Sequence, residues 1–278
     1  MPWKPPKCRN PLDVSGCSHG LCEVELLFHF SHFGPSSITF GPLIESKCYE
    51  KTDVQFLFMG NSEYQLLQLI IGGEAETWSS VGFDVMELPS GELACQIGSV
   101  LLLFDPTGER GISGAAVHGG SAIIDSLKFD VGPNLTSSSI DAYPPSVHSN
   151  GITRIDHLVV TTADCDRTTR AFESNGIHPR KVRTFGDHEA KMRQTFFWLG
   201  DVILELVGPD QSEANGHAMF WGLALISDDL QATAGYLGER CTPVKPAVQP
   251  GRKITTIKTR EIGITTSLAV MSPHTKTN

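Results

Sequence analysis

Ile152-Thr-Arg-Ile-Asp-His-Leu-Val-Val160 and Gly200-Asp-Val-Ile-Leu-Glu-Leu-Val-Gly-Pro209 decide how this chain reads. Both are apolar, β-branched runs of strand length, and each carries an ionisable residue at its middle. Side chains alternate faces along a strand, so His157 shares a face with Ile155 and Val159, and Glu205 with Ile203 and Val207. An ionisable group on an apolar sheet face costs several kcal/mol unless it is paired or bound to a metal. A histidine and a carboxylate so placed point to a divalent-metal site on the inner face of a curved sheet. A single buried His–Glu hydrogen bond, or two half-exposed strands, satisfies the same pattern.

The surrounding elements extend the pattern. Asp164-Cys-Asp-Arg-Thr-Thr-Arg-Ala-Phe-Glu-Ser-Asn-Gly176 opens with an Asp cap and stops at Asn-Gly, which predicts a helix. An extended stretch from Ile177 to Thr184, a strand over Met192–Leu199, a tight Gly200-Asp201 turn and the Glu205 strand complete a β-α-β-β-β unit. The unit recurs. Phe220-Trp-Gly-Leu-Ala-Leu-Ile-Ser227 reads as a strand and Asp228 to Gly238 as a capped helix. Three further strands are predicted near Thr242–Lys245, Lys253–Lys258 and Ile264–Met271. A repeated unit of this kind sets the architecture.

With these runs in order, residues 152 to 273 resemble the vicinal oxygen chelate superfamily, which includes glyoxalases, bleomycin-resistance proteins and extradiol dioxygenases. The resemblance rests on Ile-Asp-His-Leu-Val-Val, on Phe-Phe-Trp-Leu-Gly-Asp-Val-Ile-Leu-Glu-Leu-Val-Gly-Pro, on Phe-Trp-Gly-Leu-Ala-Leu-Ile-Ser-Asp-Asp-Leu, and on the closing Ala-Val-Met-Ser-Pro. It implies an α+β fold in which paired βαβββ modules form curved, cup-shaped mixed sheets. It also implies metal ligands on the first and last strand of each module. Carried over by position, these fall on His157 and Glu205 in the first module. In the second they fall on Gly222 and Ala269, which supply no donor. That loss puts a standard glyoxalase I reaction in doubt.

Other residues are candidates for the site. His188 and His217 lie in loops. Either would complete a two-His, one-carboxylate set suited to non-haem iron, or serve in proton transfer, though loop histidines are also commonly just solvated. Arg193 is a candidate carboxylate or phosphate clamp, or an exposed strand-end arginine. Trp198 and Trp221 are candidate walls of an apolar pocket, or plain core. Gln249-Pro-Gly-Arg252 reads as a turn, with Arg252 at a pocket rim as a further candidate.

Length and charge bound the alternatives. A chain of 278 residues fits about two domains. Its net charge of −9 argues against a nucleic-acid surface or a basic membrane patch. No apolar stretch reaches the ~18 residues that span a bilayer. The N-terminus lacks an apolar signal core, and seven scattered cysteines fit reduced thiols. A cytoplasmic protein is expected.

Four segments are expected. Residues 1–22 read as a disordered arm, 23–131 as a degenerate glyoxalase-like domain, 132–151 as a linker and 152–278 as the domain with the site. In the degenerate half, Ile38-Thr-Phe-Gly-Pro-Leu-Ile44 is aligned with the Ile152 strand and Val81–Val85 with the strand after the module's helix. Cys95–Phe104 is aligned with Trp198–Leu206, and Gly111–Val117 with Phe220–Leu225. His157 then corresponds to Pro42 and Glu205 to Leu103. The segment from Cys48 to Gly73 fits no position of the template.

The resemblance and the residues together imply a glyoxalase-like metalloenzyme. A divalent ion (Zn, Fe, Mn, Ni or Mg) on His157 and Glu205 would polarise adjacent oxygens of a small substrate, for isomerase, lyase or dioxygenase-type chemistry. The alternative is a non-catalytic small-molecule-binding protein of the bleomycin-resistance type. The architecture also makes a homodimer plausible.

Overall fold

The computed structural model describes residues 27–28, 42–43, 64–120, 122–129, 146–186, 191–212 and 215–274. The chain divides into two units, residues 1–56 and 57–278. The described elements of the first unit are β1 (Leu27–Phe28) and β2 (Pro42–Leu43), an antiparallel pair.

The second unit opens with β3 (Gln65–Gly72), α1 (Ala75–Ser79), β4 (Met86–Glu87), β5 (Leu93–Ile97) and β6 (Val100–Asp105). β7 (Gly111–His118) and the hairpin β8 (Ile123–Ile124) and β9 (Leu127–Lys128) follow. Then come β10 (Ile152–Thr161), α2 (Cys165–Ser174), β11 (Lys181–Phe185), β12 (Met192–Leu199) and β13 (Val202–Pro209). The last module is β14 (Met219–Ser227), α3 (Leu230–Leu237), β15 (Lys245–Pro246), β16 (Lys253–Ile257) and β17 (Ser267–Met271).

Local chemistry sets these boundaries. The Asp164 carboxylate accepts the Arg167 N–H at 2.9 Å and starts α2, and Asp229 does the same for α3 through Ala232 N–H at 3.0 Å. α2 stops at Asn175-Gly176, where Gly176 has φ 80°.

β10 to β17 form one eight-stranded sheet in the order β11-β12-β13-β10-β14-β17-β16-β15. β10 runs parallel to β13 and antiparallel to β14, and β14 runs parallel to β17. Two βαβββ modules are thereby paired through their first strands. The five-stranded sheet, β4-β5-β6-β3-β7, repeats half of this plan: β3 is parallel to β6 and antiparallel to β7. The fold is the α+β, cup-forming arrangement of paired βαβββ modules. No helix among the described residues is long and apolar enough to cross a membrane.

The helix-facing sides of both sheets share one core. It takes in Leu66, Leu69 and Ile71 of β3, Leu158 and Val160 of β10, Leu204 and Leu206 of β13, Trp78 of α1 and Phe172 of α2. Phe172 and Phe197 are wholly buried, each worth about 1.5–3 kcal/mol of apolar transfer. The tight turns lock the sheets reciprocally. A Cβ on Gly98 would lie 2.9 Å from Arg154 Cβ, and one on Gly200 would lie 2.9 Å from Gln65 Cγ. Each turn thus presses on the first strand of the other sheet.

Several expectations need correction. The first strand of the N-terminal module is Gln65–Gly72, inside the segment that fitted no template position, and not Ile38–Ile44. Of that latter stretch only Pro42–Leu43 is described, paired with β1. Residues 81–85 form a turn and coil, with the short strand β4 just after them. Ile155 does not share the His157 face. Asp156 is an extra residue in the β10–β14 ladder, between the pairs Ile155↔Leu225 and His157↔Ala224. Such a bulge resets the alternation. Ile155 therefore enters the core while Asp156 joins His157.

Candidate functional site

The face turned away from the core carries His157 and Val159 from β10, and Ile203 and Glu205 from β13. β12 adds Gln194, Phe196 and Trp198, and β11 adds Arg183. On the other side of β10 it is apolar, with Ala224, Ile226 and Met271 packed together with Ile254. The polar residues among them form one continuous chain of contacts.

His157 is its centre. Nδ1 lies 2.9 Å from Asp156 Oδ2, and Nε2 lies 3.1 Å from Glu205 Oε2. Burial alone would push this imidazole toward the neutral form. The adjacent Glu205 charge and the Asp156 hydrogen bond outweigh burial and raise its pKa to about 9. The ring is an imidazolium that donates from both nitrogens. Asp156 is also shifted: burial opposes its ionisation, but His157 and Arg252 hold its carboxyl well below the usual carboxylate range.

Arg252 and Gln194 close the two ends. Arg252 is 3% exposed; Nη2 donates to Asp156 Oδ1 at 3.1 Å and Nε to Ser272 O at 2.9 Å. Its Nη1 lies 3.1 Å from His274 Nε2, and burial together with this cation lowers the His274 pKa. On the other side Gln194 Nε2 donates to Glu205 Oε1, and Arg183 Nε donates to Gln194 Oε1. The chain runs Arg252–Asp156–His157–Glu205–Gln194–Arg183 across four strands and the β15–β16 turn.

The structure distributes the candidates unevenly. His157 and Glu205 come together, and Trp198 stands on their face opposite Ile203. Trp221 is the extra residue of another β10–β14 bulge, between Gly222 and Phe220, and is half-buried. Arg193 points to the opposite face. It is committed to Asp210 at 3.0 Å and to Asp166 at the start of α2, so its guanidinium ties strand to helix outside the cup. His217 is exposed, with Nδ1 2.9 Å from Ser126 Oγ on the β8–β9 turn, and its contact is with that hairpin instead of the His157–Glu205 pair. His188 lies outside the described residues.

Two members of the chain carried too little signal to be singled out for the site. Asp156 precedes His157, and strict alternation assigns it to the other face. Arg183 sits 22 positions from Glu205. Arg252, a candidate for a pocket rim, instead reaches Asp156 from 96 positions away. Gln194 could have been found, since its parity with Phe196 and Trp198 places all three on one face.

The donors around His157 and Glu205 do not extend into the second module. Val159 pairs with Glu205 as Ala224 pairs with Ala269, and His157 pairs with Ile203 as Gly222 pairs with Ser267. The second-module positions equivalent to His157 and Glu205 are thus Gly222 and Ala269. A Cβ on Gly222 would lie 2.3 Å from Ser267 O, so the backbone of β17 excludes any side chain there. Among the described residues no group of three or more His, Cys, Asp or Glu side chains is placed to hold a metal. Two protein donors do not by themselves fit a resident divalent ion, whose structural and catalytic sites take three or more.

No family model and no curated protein sequence matches the chain. Solved structures do. A mutant of 4-hydroxymandelate synthase from Streptomyces coelicolor aligns with TM-score 0.50 and 11% identity, over 77% of this chain and 94% of that one. A xylose isomerase-like TIM barrel/4-hydroxyphenylpyruvate dioxygenase fusion protein aligns with TM-score 0.50 and 9% identity, over 75% of this chain and 49% of that one. Methylmalonyl-CoA epimerase from Mycobacterium tuberculosis aligns with TM-score 0.37 and 16% identity, over 47% of this chain and 95% of that one. The shared feature is the vicinal oxygen chelate fold.

Proposed function

We propose that the C-terminal cup is the functional centre of a glyoxalase-like protein that takes a small molecule on its concave face, with His157 and Glu205 at the point of contact. One comparison within the chain carries this reading. The five-stranded sheet has the strand plan of the first module, and its two bulges match two of the three in the β10–β14 ladder. It sets Leu67 where Asp156 stands, Gln68 where His157 stands and Leu103 where Glu205 stands. The fold stands there on an apolar cluster of Leu67, Ala94, Leu101 and Leu103. The buried charges of the second cup are therefore not a requirement of the architecture. They are costly to hold in a half-buried face, which favours a role in ligand recognition.

In this reading the imidazolium offers its Nε2 proton to a ligand oxygen in competition with Glu205. Asp156, itself fixed by Arg252, keeps the ring charged and oriented. A positive donor fixed in a sheltered face stabilises negative charge on a bound carbonyl or carboxylate oxygen. The loss of the Gly222 and Ala269 donors favours binding, of the bleomycin-resistance type, over metal-centred turnover.

A metal-dependent reading keeps one observation on its side. His157 Nε2 and Glu205 Oε2 converge, 3.1 Å apart, as two ligands of one ion do. Elemental analysis of purified protein and of the His157→Ala/Glu205→Ala double variant separates the two. Stoichiometric metal that is lost in the double variant overturns the metal-free reading. Equal, sub-stoichiometric metal in both supports it.

A further inference from the structure

We infer that Arg183 is the anion clamp of the C-terminal cup, and that its ligand is a small organic anion with an apolar body. The inference rests on the reading of the cup as a small-molecule site and adds what that molecule is.

Charge bookkeeping along the polar chain leaves one cation over. Asp156 has Arg252, and Glu205 has His157. Arg183 has no carboxylate partner among the described residues. Its Nε is held by Gln194 Oε1, and its two terminal nitrogens have no hydrogen-bond or ion-pair partner among the described residues. The side chain is nevertheless half-buried, with its guanidinium carbon 5.9 Å from the centroid of the Phe196 ring. A guanidinium at that distance over an aromatic face is attracted by it, and fixing Nε on Gln194 orients the planar fork. A half-buried fork with both terminal nitrogens open matches a bidentate carboxylate or sulfonate.

The rest of the ligand is set by the neighbours. Arg183 pairs across the ladder with Gln194. On the same face Phe196 comes next, beside Glu205, Trp198 and Ile203 lie in the row of His157, and Val159 lies on the far side of Glu205. All four are half-buried, so partly open apolar surface flanks the acid–base pair on the face that carries the clamp. An anion with an aromatic or aliphatic body covers that surface while its charged group meets Arg183. Arg193 cannot take this part, because Asp166 and Asp210 already hold its guanidinium.

The test uses two fluorescent probes that differ only in the charged group: 8-anilinonaphthalene-1-sulfonate and N-phenyl-1-naphthylamine. Each is titrated into the full-length protein and into Arg183→Gln and Arg183→Lys, with thermal melts to confirm that the variants fold. The clamp predicts saturable binding of the sulfonate that weakens at least about 10-fold in Arg183→Gln, the scale of one lost charge-assisted contact. Arg183→Lys, which keeps the charge but loses the fork, falls between. The neutral probe binds all three alike. Sulfonate binding that is unchanged in Arg183→Gln, or a neutral probe weakened to the same degree, overturns the clamp but leaves the cup as a site. Failure of both probes to bind the wild type overturns the cup reading itself, and the clamp with it.

Discussion

Leu103 occupies in the five-stranded sheet the position that Glu205 occupies in the eight-stranded one. Ile70 faces Leu103 across a parallel ladder as Val159 faces Glu205, and both bulges of the β3–β7 ladder recur at matching points in the β10–β14 ladder. One chain thus contains the same cup face twice, once filled with leucine and once with an ion-paired histidine. The contrast separates what the fold needs from what the site needs, and it sets the expectations below.

Stability is expected to fall on the alkaline side. The folded-state pKa of His157 is raised to about 9, above its ordinary 6.5, so its contribution is fully present below pH 6.5 and lost as pH rises through 9. The size is on the order of 3 kcal/mol from the linkage of that shift. Urea midpoints measured from pH 6 to pH 10 should drop in the wild type and flatten in His157→Gln. Parallel curves for the two proteins would remove the imidazolium from the account. On the acid side Asp156, whose pKa is depressed, contributes stability that is lost as pH falls below the ordinary carboxylate range.

Breaking one partner of the Arg252–Asp156 pair should cost more than removing both. Arg252→Met leaves a buried carboxylate beside His157 and is expected to destabilise by about 3–5 kcal/mol. Adding Asp156→Asn should recover part of that, a coupling of about 1–3 kcal/mol in a double-mutant cycle. Strict additivity would show that the contacts at 3.1 and 3.3 Å carry no interaction energy.

Gly222 should resist any side chain. Ala at this position would bring Cβ to 2.3 Å from Ser267 O and displace β17. A loss of about 1–3 kcal/mol is expected from overpacking. Gly222→His, which places a histidine at the position equivalent to His157, should bind no more metal than the wild type. Metal uptake by that variant would show that β17 yields and that a third donor suffices to hold an ion.

Thiol reactivity offers a simple check on the core. Cys95, Cys165 and Cys241 are free and buried, and burial pushes the Cys165 thiol up to about 12. All three should stay unmodified by iodoacetamide at pH 8 in the native protein and react in urea, as read by mass spectrometry of tryptic peptides. Modification of native Cys165 would contradict its burial at the start of α2.

The fold was legible because its signals are local. The capping Asp164 and Asp229, the Gly200-Asp201 turn and the alternation in Met192–Leu199 and Val202–Pro209 each act within a few residues, and together they spell out βαβββ twice. The same locality made His157, Glu205 and the donor-less Gly222 and Ala269 readable. It failed in the N-terminal half. There β3 lacks an ionisable landmark, and a better-looking run at Ile38–Ile44 drew the alignment away from Gln68 to Pro42.

What the sequence determined by itself was the strand plan and the polarity of its inner face. What tertiary structure decided was which charges meet. A single bulged residue, Asp156, changed faces. Arg252 reached it from 96 positions away, and Arg193 and Arg183, ten positions apart, were sent to opposite sides of one sheet. Periodicity fixes a side chain's face only while the ladder is regular, and pairing between distant charges depends on register that the whole sheet sets at once.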